Sequence, residues 1–164
     1  MEDKGKTKTQ LIIEQTCEAD FNSLRPLVEE FILTHKSLSL RQNYWTSFCD
    51  WLAKGQRDGN TLSLHATIKK KTVGFVVGII QENGPLISPE RVGYVSIMVV
   101  DKSHRTIGIG NALWIELRKW FLSKGITYFE LYTEFGNSLS GSFWSNRGFN
   151  TFLERRRQDT EDLR

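Results

Sequence analysis

The sequence predicts a mixed α/β fold, mainly an antiparallel sheet with helices on both faces, and three observations carry that reading. Apolar residues recur first at helical spacing, then at every second position across two linked segments, then at helical spacing again. A mostly apolar run from Val92 to Val100 has the length and composition of a strand buried on both faces. Glycine and proline clusters punctuate the segments without making a linker or an internal repeat. The resulting order is strand, two helices, antiparallel strands, helix, strand, helix, strand.

Each element has its own warrant. Leu11-Ile12-Ile13-Glu14-Gln15 is a short apolar run after a polar start, and predicts a first strand. Asp20 can cap a helix beginning near Phe21, whose Leu24, Leu27, Val28, Phe31 and Ile32 recur at helical spacing. A second amphipathic helix is expected from about Leu40 through Trp51 and Leu52 until Asp58-Gly59-Asn60 breaks it. From Thr61 the period becomes two, with Leu62, Leu64, Ala66 and Ile68 alternating before Lys69-Lys70-Lys71 turns the chain into Val73 to Ile80, a hairpin. Turn residues from Glu82-Asn83-Gly84-Pro85 to Ser88-Pro89 then lead into Val92–Val100, expected as a central strand. The helix after it carries the stripe Ile109, Leu113, Leu117, Trp120 and Phe121, and Gly125 stops it. Ile126 to Glu134 reads as a strand, Asn137 to Asn146 as a short helix and Phe149 to Leu153 as a last strand.

Composition narrows the function classes. A chain of 164 residues is long enough for one domain with its own core. Lys plus Arg at 22 against Asp plus Glu at 19 gives a formal charge of +3, much of it in Arg155-Arg156-Arg157. A basic run at a terminus reads as a solvated tail, so no nucleic-acid partner is expected. Cys17 and Cys49 form no CxxC pair, which fits a reducing, cytoplasmic setting. Met1 to Gln10 lacks the apolar stretch of a signal peptide, and no run reaches the roughly 18 to 20 apolar residues of a spanning helix, so no membrane partner is expected. Three scattered histidines without HExxH argue against a metal site. Trp45, Trp51, Trp114 and Trp120 fall at helix spacings that mean core, or an interface such as a homodimer would bury.

The stretch with most chemical content is Arg105-Thr106-Ile107-Gly108-Ile109-Gly110-Asn111, between an apolar strand and the first turn of a helix. Unpaired amides at a helix start, together with the helix dipole, favour a phosphate, and glycines let backbone approach it. The segment is neither a Walker A loop, for no Gly-Lys-Ser/Thr follows, nor a dinucleotide fingerprint, for the third glycine is missing.

R-x-x-G-x-G after a strand ending in Met98-Val99-Val100 resembles the acetyl-CoA-binding motif of the GNAT N-acetyltransferases. The likeness continues through Leu131-Tyr132-Thr133, Asn137, Phe143-Trp144 and Gly148-Phe149, with ten residues between Asn137 and Gly148-Phe149. It implies a GNAT domain over residues 10–154, with residues 1–9 a disordered N-terminus and 155–164 a basic, polar tail. It implies acetyl-CoA as acyl donor, with backbone groups of Met98, Val99 and Val100 along the pantetheine arm. The amides of Arg105, Thr106, Ile107, Gly108, Ile109, Gly110 and Asn111 would hold the pyrophosphate, and Asn137 and Trp144 would border the arm's thiol end.

The reaction so implied is direct attack of an amine on a thioester in a ternary complex, and it needs a base, since alkyl amines are mostly protonated at neutral pH. Two positions depart from the family. Trp144 stands where many members carry a tyrosine acid, and Tyr132 where some carry a glutamate base, with Glu130 and Glu134 on its face by strand alternation. Tyr94 enters the cleft strand where other members have a base. Glu134, Tyr132 and Tyr94 are therefore the candidate catalytic residues, against the alternative that they pack or face solvent while water carries protons. Glu29 and Glu30, with Glu130 and Glu134, could draw a cationic amine as acceptor. The rival function is a GNAT-shaped module that holds CoA without turning it over.

Overall fold

The computed structural model describes residues 10–35 and 40–158. They form β1 (Leu11–Gln15), α1 (Phe21–Thr34), α2 (Tyr44–Arg57), β2 (Thr61–Ile68), β3 (Lys71–Glu82), β4 (Arg91–Val100), α3 (Ile109–Ser123), β5 (Phe129–Leu131) and α4 (Ser138–Ser145). The expected disordered segment 1–9 and the end of the tail, 159–164, lie outside the described residues. The chain gathers into two compact units that divide between Tyr132 and Thr133.

The first unit is built on a five-stranded sheet in the order β1-β2-β3-β4-β5. Its first four strands are antiparallel, and β5 lies parallel to β4. The middle strand is thus β3, not the Val92–Val100 segment, which forms most of β4 and sits between β3 and β5. Phe75, Val77 and Val99 on one face pack with Phe21, Leu24, Leu27 and Val28 of α1 and Leu52 and Ala53 of α2 in a buried cluster. The opposite face takes α3, whose Ile109, Leu113, Leu117 and Phe121 are buried. Each such large side chain removed from water contributes about 1.5–3 kcal/mol.

Glycines set how closely α3 approaches the sheet. A Cβ at Gly93 would lie 2.8 Å from the Phe121 ring, and one at Gly78 would run into Leu117. Trp114 is buried, edge-on to Phe129 at 5.5 Å, whereas Trp120 of the expected stripe is only half-buried. Asp20 precedes α1 but does not cap it: its carboxylate accepts from the Cys17 amide at 2.9 Å and so closes the preceding 3-10 turn.

The second unit holds α4. Asn137 is its N-cap, the side-chain oxygen accepting from the Ser140 amide at 3.1 Å. Trp144 is buried, with the Phe143 and Phe149 rings edge-on at 4.9 and 5.0 Å. The Arg147 guanidinium lies 3.5 Å from the centre of the Phe143 ring. The strand expected at Phe149–Leu153 does not form; residues 149–158 have no regular structure. Among the described residues no helix is long and apolar enough to cross a membrane, and no three His, Cys, Asp or Glu side chains group as metal ligands do.

Candidate active site

The two halves of β4 differ in their neighbours. Gly93, Tyr94 and Val95 stand beside Phe129, Glu130 and Leu131 of β5, and the Gly93 amide donates to the Tyr128 carbonyl at 2.9 Å. On the β3 side Val77 lies opposite Ile97 but Gly78 opposite Val95, so Ser96 is an extra residue in the ladder. Such a bulge bends and twists its strand, and here pairing with β5 ends at Val95. Among the described residues no strand pairs with the outer edge of Ser96–Val100, roughly 16 Å of extended backbone at about 3.3 Å per residue. The strand expected from Ile126 to Glu134 accordingly ends at Leu131, opposite Val95, and it begins only at Phe129.

The direction of the open backbone groups follows from the ladder. Bonded and non-bonded pairs alternate between antiparallel strands. The Asp101 amide donates to the Val73 carbonyl at 2.8 Å, so Val99 and Ile97 also bond towards β3, while Met98 and Val100 turn to the outer edge. Consistent with this, the Val100 carbonyl accepts from Arg105 Nε at 2.9 Å.

The loop beyond is tightly tied. The Asp101 carboxylate accepts from the Ser103 amide at 2.8 Å and the Ser103 hydroxyl at 2.5 Å, and Lys71 Nζ lies 3.2 Å away. Those bonds, the Ser103 hydroxyl's foremost, hold Asp101 well below the usual carboxylate range. Arg105 adds a second contact, Nη2 to Glu30 Oε1 at 2.6 Å. Thr106 has φ of 66°, left-handed backbone that a β-branched residue seldom adopts. Gly108, at φ of 94°, is the N-cap of α3, and a Cβ there would meet nothing within 4 Å. The first intrahelical bond runs from the Ala112 amide to the Gly108 carbonyl at 3.0 Å. The amides ahead of it lie outside the helical ladder at the positive end of the dipole, and Ile109, buried below, anchors them.

Of the expected catalytic residues, the structure brings Tyr94 and Tyr132 together, ring centres 5.5 Å apart and edge-on. Glu130 is the neighbour of Tyr94 in the parallel register. Gly93 faces α3, so Tyr94 and its neighbour Glu130 face the α1 and α2 side. Glu134 lies past the end of β5 and in the other unit, so strand alternation does not place it on this face. Asn137, expected beside the cofactor thiol, has its acceptor oxygen engaged in capping α4. The expected acidic cluster is also reduced: Glu29 pairs with Tyr44 and with Arg25 at 3.1 Å, and Glu30 pairs with Arg105. The Tyr44 bond, then the Arg25 bond, lowers the Glu29 pKa. Sequence reading missed the Ser96 bulge, which no local residue type announces, and it set Glu130 on the Tyr132 face by alternation without ranking it among the catalytic candidates.

The model of the acetyltransferase (GNAT) family matches residues 24–149. The chain belongs to the GNAT acetyltransferase family. Solved structures agree in fold. A predicted acetyltransferase from Clostridium acetobutylicum, determined with acetyl-CoA, superposes with a TM-score of 0.79 at 12% identity, covering 93% of this GNAT chain and 98% of its own. AAC(6')-Iy in complex with the bisubstrate analog CoA-S-monomethyl-acetylneamine gives 0.74 at 17% identity, covering 92% and 100%. An acetyltransferase from Trypanosoma brucei gives 0.68 at 22%, covering 92% and 99%. No curated protein matches this GNAT chain in sequence.

Proposed function

We propose that this GNAT protein is an N-acetyltransferase that moves the acetyl group of acetyl-CoA to a primary amine by direct attack in a ternary complex. The observation that carries the reading is the open edge of β4 running into the glycine cap of α3. Acetyl-CoA supplies an activated thioester; the rest is asked of the chain. The Met98 N–H and C=O and the Val100 N–H have the directions of a strand awaiting a neighbour, which suits the amide-bearing pantetheine arm. The amides of Gly108, Ile109 and Gly110, with the dipole behind them, suit a pyrophosphate, and the open space above Gly108 lets it approach. Two of the fold neighbours were determined with acetyl-CoA or a CoA analogue, which supports the same donor here.

At the other end, where β4 and β5 part, Glu130 and the hydroxyls of Tyr94 and Tyr132 are the groups able to accept the ammonium proton or orient the water that does. Glu130 takes the first place among them, ahead of Glu134. Cys17 and Cys49 belong to the segment before α1 and to α2, not to β4, its loop or α3, and burial pushes the Cys49 thiol up, so an acyl-enzyme has no cysteine nucleophile in this tract. The acceptor is an amine on a small molecule or at a protein N-terminus; aminoglycosides, the acceptor class of AAC(6')-Iy, belong in the test.

Calorimetry with CoA and release of thiol from acetyl-CoA over a panel of amines decide the reading. Micromolar binding with turnover of at least one amine is expected. Binding without turnover of any amine would make the protein a CoA-holding regulatory module, and no binding at all would overturn the donor assignment.

A further inference from the structure

We infer that Glu30 on α1 is a positioning residue for the donor loop: it clamps Arg105, which serves the donor by fixing the loop's shape and not by pairing with phosphate. The inference rests on the donor reading above and adds a role for two side chains. The Arg105 side chain is 31% exposed and that of Glu30 19%, and they meet at 2.6 Å from elements 75 positions apart in the chain. A guanidinium is a planar fork of N–H donors. Here one arm is committed to Glu30 and Nε to the Val100 carbonyl, so a single side chain joins the end of β4 to α1 across the start of the loop.

The next residue explains why a clamp is needed. Thr106 sits at φ of 66° with its hydroxyl donating to the Arg105 carbonyl at 2.6 Å. A β-branched residue persists in left-handed backbone only where its surroundings impose it. Released from Glu30, Arg105 could turn outward, Thr106 would relax, and the amides that follow would point elsewhere. Two roles for Arg105 then predict opposite signs. If its charge met the donor's phosphates, Glu30 would be a competing anion, and its removal would tighten binding. If it is a clamp, removal of Glu30 loosens the loop and weakens binding.

The test uses the full chain, free and with CoA. In the free protein, amide hydrogen exchange at Ser103, His104 and Ala112, the bonded amides that flank the loop, is expected to speed up about tenfold in Glu30→Ala, while Glu30→Gln, which keeps an acceptor, restores most of the protection. By calorimetry, Glu30→Ala and Arg105→Lys should each bind CoA about tenfold more weakly, with the salt dependence of the parent, since no charge contact to the ligand is lost. Thr106→Gly in the Glu30→Ala background should recover part of the affinity, because glycine adopts the loop's conformation without the penalty. Exchange unchanged in Glu30→Ala, with CoA bound as tightly or more tightly, overturns the clamp. Should Glu30→Ala lose its circular dichroism, Arg105→Lys carries the same exchange test. Failure of the donor reading looks different: the parent itself would bind no CoA, and exchange in the free protein would then decide the clamp.

Discussion

Arg91 to Val95 and Ser96 to Val100 are halves of one strand, yet among the described residues the first is paired on both edges at Gly93 to Val95 and pressed against Phe121, while the second is paired on one edge only. Residue type does not account for the contrast, since both halves are rich in valine. The bulge at Ser96 does. It shifts the alternation by one, so that Gly93 faces α3 before it while Ile97 and Val99 join the α1 and α2 cluster after it. One half then supplies stiffness, and the other offers backbone groups aligned by that stiffness to whatever occupies the edge. A site made this way needs few functional side chains, and its specificity for the donor lies in backbone geometry.

The contrast can be broken most forcefully in the closed half. In Gly93→Val a branched side chain must displace the Phe121 ring, which lies 2.8 Å from the new Cβ, and the expected loss is about 3 kcal/mol. Urea denaturation would register it as a fall in midpoint. A variant as stable as the parent would mean that α3 does not rest on the sheet there.

Where the two strands part, Glu130→Gln should lower kcat by about a hundredfold while leaving CoA affinity and thermal stability alone, the usual scale for a lost general base. Turnover within a factor of two of the parent would return the proton to water or to the tyrosines. Next in size is Gly108→Val, beyond the open half. The side chain has room, but left-handed backbone at φ of 94° costs an L-residue about 1–2 kcal/mol, and the added bulk stands where phosphate is to approach. A modest fall in melting temperature with a larger loss of CoA affinity, by about tenfold or more, is expected; unchanged affinity would take the pyrophosphate away from this cap.

How much of this was legible in the sequence follows the same division. The strand, loop and helix from Val92 to Ser123 were readable because period, glycine and apolar stripe are local signals. So was the hairpin of β2 and β3. What depended on distant partners was not. Ser96 bulges only because of its register against Val77 and Gly78, Glu30 finds Arg105 from another element, and the Phe149–Leu153 pattern makes no strand, since a strand exists only with a neighbour to pair with. The placing of Glu134 on the Tyr132 face failed for the same reason: alternation was carried past Leu131, where β5 ends.

The smallest effect sharpens the comparison at the outer end of the open half, where Asp101 closes β4. Its amide holds the last rung to Val73, and its carboxylate holds the turn through Ser103. A carboxyl group whose pKa is lowered on folding stabilises the fold in its charged form. That contribution is complete above the ordinary aspartate range and declines as pH falls through about 4 towards the depressed value in the folded state. Asp101→Asn, which keeps the size and loses the charge, should therefore be less stable than the parent near neutrality by about 0.5–1 kcal/mol, the usual worth of such a capping contact. Partial exposure, with 21% of the side chain accessible, and added salt keep the figure small. The gap should narrow as the two proteins are titrated from pH 7 to 3 in urea melts, because protonation removes from the parent what the substitution has already removed from the variant. A gap that stays constant across that range would mean that the charge of Asp101 does not hold the turn, and that the open half of β4 is fixed by its ladder to β3 alone.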